Sequence, residues 1–128
     1  MAVYEQRHPL IQHKMGLLRA VATGTRQCRE LVAEIARLLT YEATRDLPLT
    51  PEVVDAWCGA TQVERLAGKK LTVVPILRAG LGMLDGVLDV IPCAKISVIG
   101  MSRDEQTLQP RVYVSKLVPH IEQRRALL

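Results

Sequence analysis

One stretch, LTVVPILRAGLGMLDGVL (Leu71–Leu88), limits the possible folds more than any other. Leu71–Leu77 is an apolar run of strand length, as expected for a strand buried on both faces. Leu81, Leu84 and Leu88 then recur at helical spacing, which predicts a helix over Leu81–Val90. Ala94–Gly100 (AKISVIG) reads as a second strand. Strand, short helix and strand make a βαβ unit, which implies a parallel pair with a right-handed crossover. The expected class is therefore α/β, with a mostly parallel sheet flanked by helices.

Around this unit the chain divides clearly. Met1–Gly24 reads as an extended arm leading into a short helix. Cys28, Leu31, Val32, Ile35, Leu38, Leu39 and Glu42 follow 3–4 spacing, so a helix is expected over 25–44 with Thr25 as N-cap. EVVDAW and TQVERL flank Cys58-Gly59-Ala60 and suggest a small hairpin. MSRDEQTLQP reads as a polar loop. RVYVSKL reads as a strand with Val112 and Val114 on one face and Arg111, Tyr113 and Ser115 on the other. A further apolar run opens at Arg125 or Ala126. It reads as the start of a buried strand, so residues 1–128 are expected to form an incomplete domain.

The turn between the first strand and its helix, Arg78-Ala79-Gly80, is the chemical centre of the sequence. Ligands of parallel α/β sheets bind at the carboxyl ends of the strands. A helix starting there offers backbone N–H groups and a positive dipole end. Gly80 and Gly82 would let the backbone approach a ligand, and Arg78 adds donors suited to phosphate oxygens. A second arginine, Arg103 in GMSRDE, follows the second strand of the unit, so both cations are expected at one sheet edge. Two standard phosphate motifs fail. The dinucleotide fingerprint would need glycine at Asp85, and a Walker loop ending at Gly68-Lys69 would need glycine at Val63. The residues alone leave two readings open: a phosphate cradle, or solvated turn charges with Arg103 paired to Asp104 or Glu105.

Other features narrow the field. The chain carries a formal charge of +4, which leans toward anionic partners. Its basic residues are scattered; Lys69-Lys70 and Arg124-Arg125 are only pairs. There is no Phe, and Trp57, Tyr4, Tyr41 and Tyr113 are the only aromatics, which argues against a nucleic-acid surface. Cys28, Cys58 and Cys93 form no CxxC and read as reduced cytosolic thiols, with Cys93 in the core. MAVYEQRHPL has no apolar signal-peptide region, and no stretch reaches membrane-spanning length. His8, His13 and His120 form no metal-ligand pattern, and Asp85 with Asp89 reads as a solvated helix face.

From Lys69 to Pro110 the chain closely resembles the uracil phosphoribosyltransferase family, with PILRAGLGM followed by GMSRDE as the most specific signature. HPLIQHKMGLLR and LLTYEATRDLPL extend the resemblance over nearly the whole chain. The resemblance implies the type I phosphoribosyltransferase fold. It also implies conversion of uracil and 5-phosphoribosyl 1-diphosphate to UMP and diphosphate, a glycosyl transfer of pyrimidine salvage in the cytoplasm. Magnesium would accompany the diphosphate, the enzyme would be a homodimer or larger, and GTP activates some members. Lys14 and Arg19 are candidates for an effector phosphate. By position, Arg78 and the Ala79-Gly80 backbone would form the diphosphate loop, and Arg103 would reach it from the neighbouring segment. Gln109–Leu117 resembles the β-arm that embraces a partner subunit.

The family's ribose-phosphate loop and uracil-recognising segment have no counterpart in this sequence. The chain by itself is therefore expected not to convert uracil. The competing expectation is a truncated, non-catalytic homologue that binds an anion or dimerises through the Tyr113 strand.

Overall fold

The computed structural model describes residues 3–68 and 71–128; Lys69 and Lys70, the basic pair noted above, lie outside the described residues. The first helix, α1, covers Pro9–Leu18, with proline in its first turn and the His8 imidazole capping it by accepting from the Leu10 N–H at 3.2 Å. Helix α2, Thr25–Ala43, lies within a residue of expectation. Its N-cap is Gly24, without a side-chain bond, so Thr25 is inside the helix rather than capping it. Leu31, Ile35, Ala36 and Thr40 form its buried stripe.

An antiparallel ribbon follows. Strand β1, Leu49–Ala56, pairs with β2, Gly59–Leu66, around the turn at Trp57 and Cys58. Gly59 closes that turn at φ +113°, a conformation reserved in practice for glycine. The ribbon is exposed along almost its whole length, and Trp57 at its tip is 99% exposed.

The βαβ unit forms, with two departures from the pattern: the first run is split, and its burial ends at Pro75, since Ile76 is exposed and Leu77 half-buried. The run Leu71–Leu77 resolves into β3, Thr72–Val73, and β4, Ile76–Leu77, and helix α3 covers Leu81–Val90. The return strand resolves into β5, Lys95–Ile96, and β6, Val98–Arg103. Register is unbroken between the two halves: Thr72 faces Lys95, Val73 faces Ile96, Ile76 faces Ile99 and Leu77 faces Gly100. Lys95, Ser97 and Ile99 N–H groups donate in turn to the carbonyls of Leu71, Val73 and Pro75. The interruption falls at Pro75, which has no N–H to return a bond.

Strand β7, Pro110–Lys116, runs antiparallel along β6. Gly100 faces Val114 and Met101 faces Val112, so Tyr113 is the extra residue of a bulge. The bulge interrupts the simple alternation expected of this strand, and Val112 is exposed while Val114 is half-buried. Strand β7 is an edge strand laid against β6. The element that projects is the β1–β2 ribbon. After a short 3-10 turn at Ile121–Gln123, β8, Ala126–Leu127, pairs parallel with β3, giving the order β5-β3-β8.

The core joins both helices to the central strand. Ala36 of α2, Val87 of α3 and Val73 of β3 meet, with Leu84, Ala94 and Leu127 packed around them. A Cβ on Gly86 would stand 2.1 Å from the Ala33 carbonyl oxygen, so glycine permits the close crossing of α2 and α3.

Candidate functional site

The carboxyl ends of β4 and β6 form one edge of the sheet. At β4 the chain turns through Arg78, Ala79 and Gly80 into α3, and the Leu77–Arg78 peptide is cis. The Gly80 N–H donates to the Ile76 carbonyl at 2.8 Å. A Cβ on Gly80 would lie 2.7 Å from the Ile76 nitrogen and 2.9 Å from its oxygen. Glycine is therefore required here by the turn's own backbone. Gly82 faces α2, where an added Cβ would touch Val32 at 3.4 Å. These glycines seat α3 against β4 and α2.

The start of α3 differs from expectation. The N–H groups of Leu81, Gly82 and Met83 bond back to the carbonyls of Arg78, Ala79 and Gly80 at 3.2–3.3 Å. They are not free donors. Within the turn, the Arg78 and Ala79 N–H groups meet no backbone acceptor among the described residues. Both residues are exposed.

Arg103 is the last residue of β6, not a loop residue, and faces Pro110. The strand continues past Gly100 because β7 pairs with it there. Arg103 stands three residues beyond Gly100, the partner of Leu77. That is a rise of roughly 10 Å along the strand. Among the described residues neither Arg78 nor Arg103 has a carboxylate partner. Asp104 does not pair with Arg103. Its carboxylate accepts from the Thr107 N–H, the Thr107 hydroxyl and the Gln106 N–H, and these bonds hold its pKa below the ordinary carboxylate value. A hollow of about 290 Å³ lies beside Arg103, lined by Met101, Ser102, Leu108 and Pro110. Each of these unneutralised guanidiniums can receive an anionic oxygen at this sheet edge.

A larger cleft of about 670 Å³ lies between the N-terminal segment, the end of α2 and Arg125. Arg125 precedes β8, so this cleft opens at the amino ends of the parallel strands, away from Arg78. Its cations are taken: Arg125 meets Asp46 at 2.7 Å and Arg45 meets Glu42 at 2.8 Å.

The remaining sequence candidates have structural partners or lie elsewhere. Lys14 bonds Glu34 at 2.6 Å, a bridge from α1 to α2 that lowers the Glu34 pKa. Asp89 is bonded by Arg37 of α2. Cys93 is exposed, in the turn after α3, and so is not a core thiol. Among the described residues no three His, Cys, Asp or Glu side chains come together as a metal site, and no helix is long and apolar enough to cross a membrane. Sequence reasoning missed two features at this edge. One is the Asp104 turn, whose signal is the Asp-x-x-Thr spacing of Asp104 and Thr107. The other is Tyr113, whose ring lies over Gly100 so closely that a Cβ there would be 2.6 Å from Cε2. Nothing in the strand's composition announces that contact.

An α/β domain with a parallel βαβ unit, whose carboxyl edge carries an arginine turn and a second arginine from the next strand, is consistent with the phosphoribosyltransferase-type fold that the sequence resembles. The sequence model of one family, described as uracil phosphoribosyltransferase, matches residues 5–128, and the chain belongs to that family. The solved structure of the AQ2163 protein from Aquifex aeolicus is similar, with a TM-score of 0.84 and 38% sequence identity. The match covers 90% of this chain and 55% of that one, so the present chain spans about half the length of this solved relative.

Proposed function

We propose that this chain supplies the diphosphate-binding part of a uracil phosphoribosyltransferase. The observation that carries the reading is the pair of unneutralised arginines, Arg78 and Arg103, at one carboxyl sheet edge. In the proposed reaction the bond from the anomeric carbon of 5-phosphoribosyl 1-diphosphate to its diphosphate oxygen breaks. Uracil N1 forms the new bond and loses its proton, giving UMP and diphosphate. Positive charge builds on the ribosyl carbon while negative charge builds on the leaving group. Arg78, Arg103 and the Ala79-Gly80 segment would hold that leaving charge, with Arg78 and Ala79 N–H groups facing it as donors. Neither arginine is asked to move a proton.

Magnesium would arrive with the diphosphate. Among the described residues no three His, Cys, Asp or Glu side chains come together to hold it, and bound to the diphosphate it would share the leaving group's negative charge. Ribose-phosphate and uracil contacts would come from outside the matched half. Pyrimidine salvage in the cytoplasm, GTP activation and the homo-oligomeric state remain part of this proposal through family membership. The projecting β1–β2 ribbon, exposed to its tip at Trp57, is the element shaped to reach a second subunit.

The test is calorimetric titration of the 128-residue chain with inorganic diphosphate, alongside an assay for UMP. Saturable diphosphate binding without UMP formation is expected. Binding that persists in the Arg78→Ala variant would overturn the site assignment. UMP formation by the chain alone would overturn its role as a part-site.

A further inference from the structure

Asp104 follows Arg103 directly, where a carboxylate turned toward the guanidinium would pair with it. The structure commits it elsewhere. Its Oδ1 accepts from the Thr107 N–H at 2.8 Å, the Gln106 N–H at 3.0 Å and the Thr107 hydroxyl at 3.0 Å. Its backbone N–H donates to the Gln109 carbonyl at 3.0 Å, and its own carbonyl accepts from the Leu108 N–H at 2.9 Å. Leu108 adopts φ 58°, which brings the chain back to Pro110 opposite Arg103. One residue therefore bonds to Gln106, Thr107, Leu108 and Gln109 in the connection between β6 and β7.

We propose that Asp104 is a positioning residue. By closing the 104–109 connection with its own carboxylate, it fixes Arg103 at the end of β6 and leaves the guanidinium free for a diphosphate oxygen. This inference rests on the diphosphate reading above and deepens it. The turn needs an acceptor oxygen at Oδ1, and an asparagine amide supplies one without charge. A residue acting through its charge would fail on that exchange; a residue acting through the turn survives it.

The experiment is titration of the 128-residue chain with inorganic diphosphate at fixed salt, comparing wild type, Arg103→Ala, Asp104→Ala and Asp104→Asn. Amide hydrogen exchange at Gln106 and Thr107 is followed in the same samples. Asp104→Ala should weaken diphosphate binding about tenfold, approaching Arg103→Ala, and speed exchange at both amides. Asp104→Asn should restore binding to within about twofold and restore protection. Thr107→Ala removes only the hydroxyl donor and should weaken binding about twofold, which keeps the test open if Asp104→Ala does not fold. Wild-type affinity in Asp104→Ala, beside a loss in Arg103→Ala, would overturn the positioning role while leaving the diphosphate site standing. Weak binding in Asp104→Asn with protected amides would overturn it too, by showing that the charge acts directly. Wild type that binds no diphosphate would remove the diphosphate reading and this inference together.

Discussion

Around the cleft at the amino ends of the parallel strands, Arg45 and Arg125 each face a carboxylate within 2.8 Å. At the carboxyl ends, Arg78 and Arg103 face none among the described residues. The difference does not come from a shortage of acids, since Asp104 and Glu105 adjoin Arg103. It comes from backbone geometry: Asp104 is consumed by its own turn. The lesson is that cavity size and cation count mislead unless each charge is checked for a partner. The larger cleft holds neutralised arginines, and the smaller hollow borders a free one.

The comparison can be broken most decisively at Arg78. Arg78→Ala should weaken diphosphate binding about a hundredfold, as loss of a charge-assisted donor fork implies. In a full-length enzyme context it should abolish turnover with the fold intact, read by circular dichroism beside a UMP assay. Gly80→Ala should act next most strongly. Its Cβ collides with Ile76 backbone, so the turn must shift, and about tenfold weaker binding with a melting temperature roughly 5 °C lower is expected. Equal binding in wild type and Gly80→Ala would show that the turn's shape is not what presents Arg78.

Acid sharpens the contrast. The hydrogen bonds of Asp104 hold its pKa below the ordinary 3.8. A lowered folded-state pKa stabilises the turn above 3.8, and that support disappears as pH falls through the folded value. The Thr107 amide proton shift should thus stay flat from pH 7 to about 4 and move only below 3.8. Movement near pH 5 would contradict the bonding described. The smallest effect belongs to the paired arginines. Arg125→Ala frees Asp46, whose pKa Arg125 now lowers, and should leave diphosphate binding unchanged. As an exposed pair, it should shift the melting temperature by about 2 °C or less. A clear loss of binding in that variant would erase the distinction between the two edges.

Much of the architecture was legible in the sequence for physical reasons. Helix α3 over Leu81–Val90 and the strand opening at Ala126 follow from apolar spacing; the strand is not the buried one expected, since Ala126 is exposed and Leu127 half-buried. The hairpin showed through Gly59, whose left-handed backbone few other residues accept. The split at Pro75 was hidden inside an apolar run, because hydropathy reports burial and not the missing N–H. Strand β6 reaches Arg103 through pairing with β7, a nonlocal cause that the polar sequence SRDE does not express. The placement of Arg78 after the first strand was readable from order alone. The packing role of Gly80 and Gly82 was not, since close approach to a ligand and close approach to one's own backbone need the same residue. The sequence also offers Asp104 as a partner for Arg103; only coordinates reveal that its Oδ1 is engaged within its own turn.

The central strand β3 acquires its two neighbours at very different sequence distances. Strand β5 returns after one short helix, whereas β8 arrives only after β6, β7 and the turn at Ile121. Closing the longer loop costs more chain entropy and belongs to the slow, nonlocal part of folding. One strand therefore carries a clock with two hands. In a refolding experiment, protection of the Lys95 and Ser97 amides, which bond to Leu71 and Val73, should appear first. Protection of Thr72 and Val74, which bond to Arg125 and Leu127, should follow, marking the moment β8 joins the sheet.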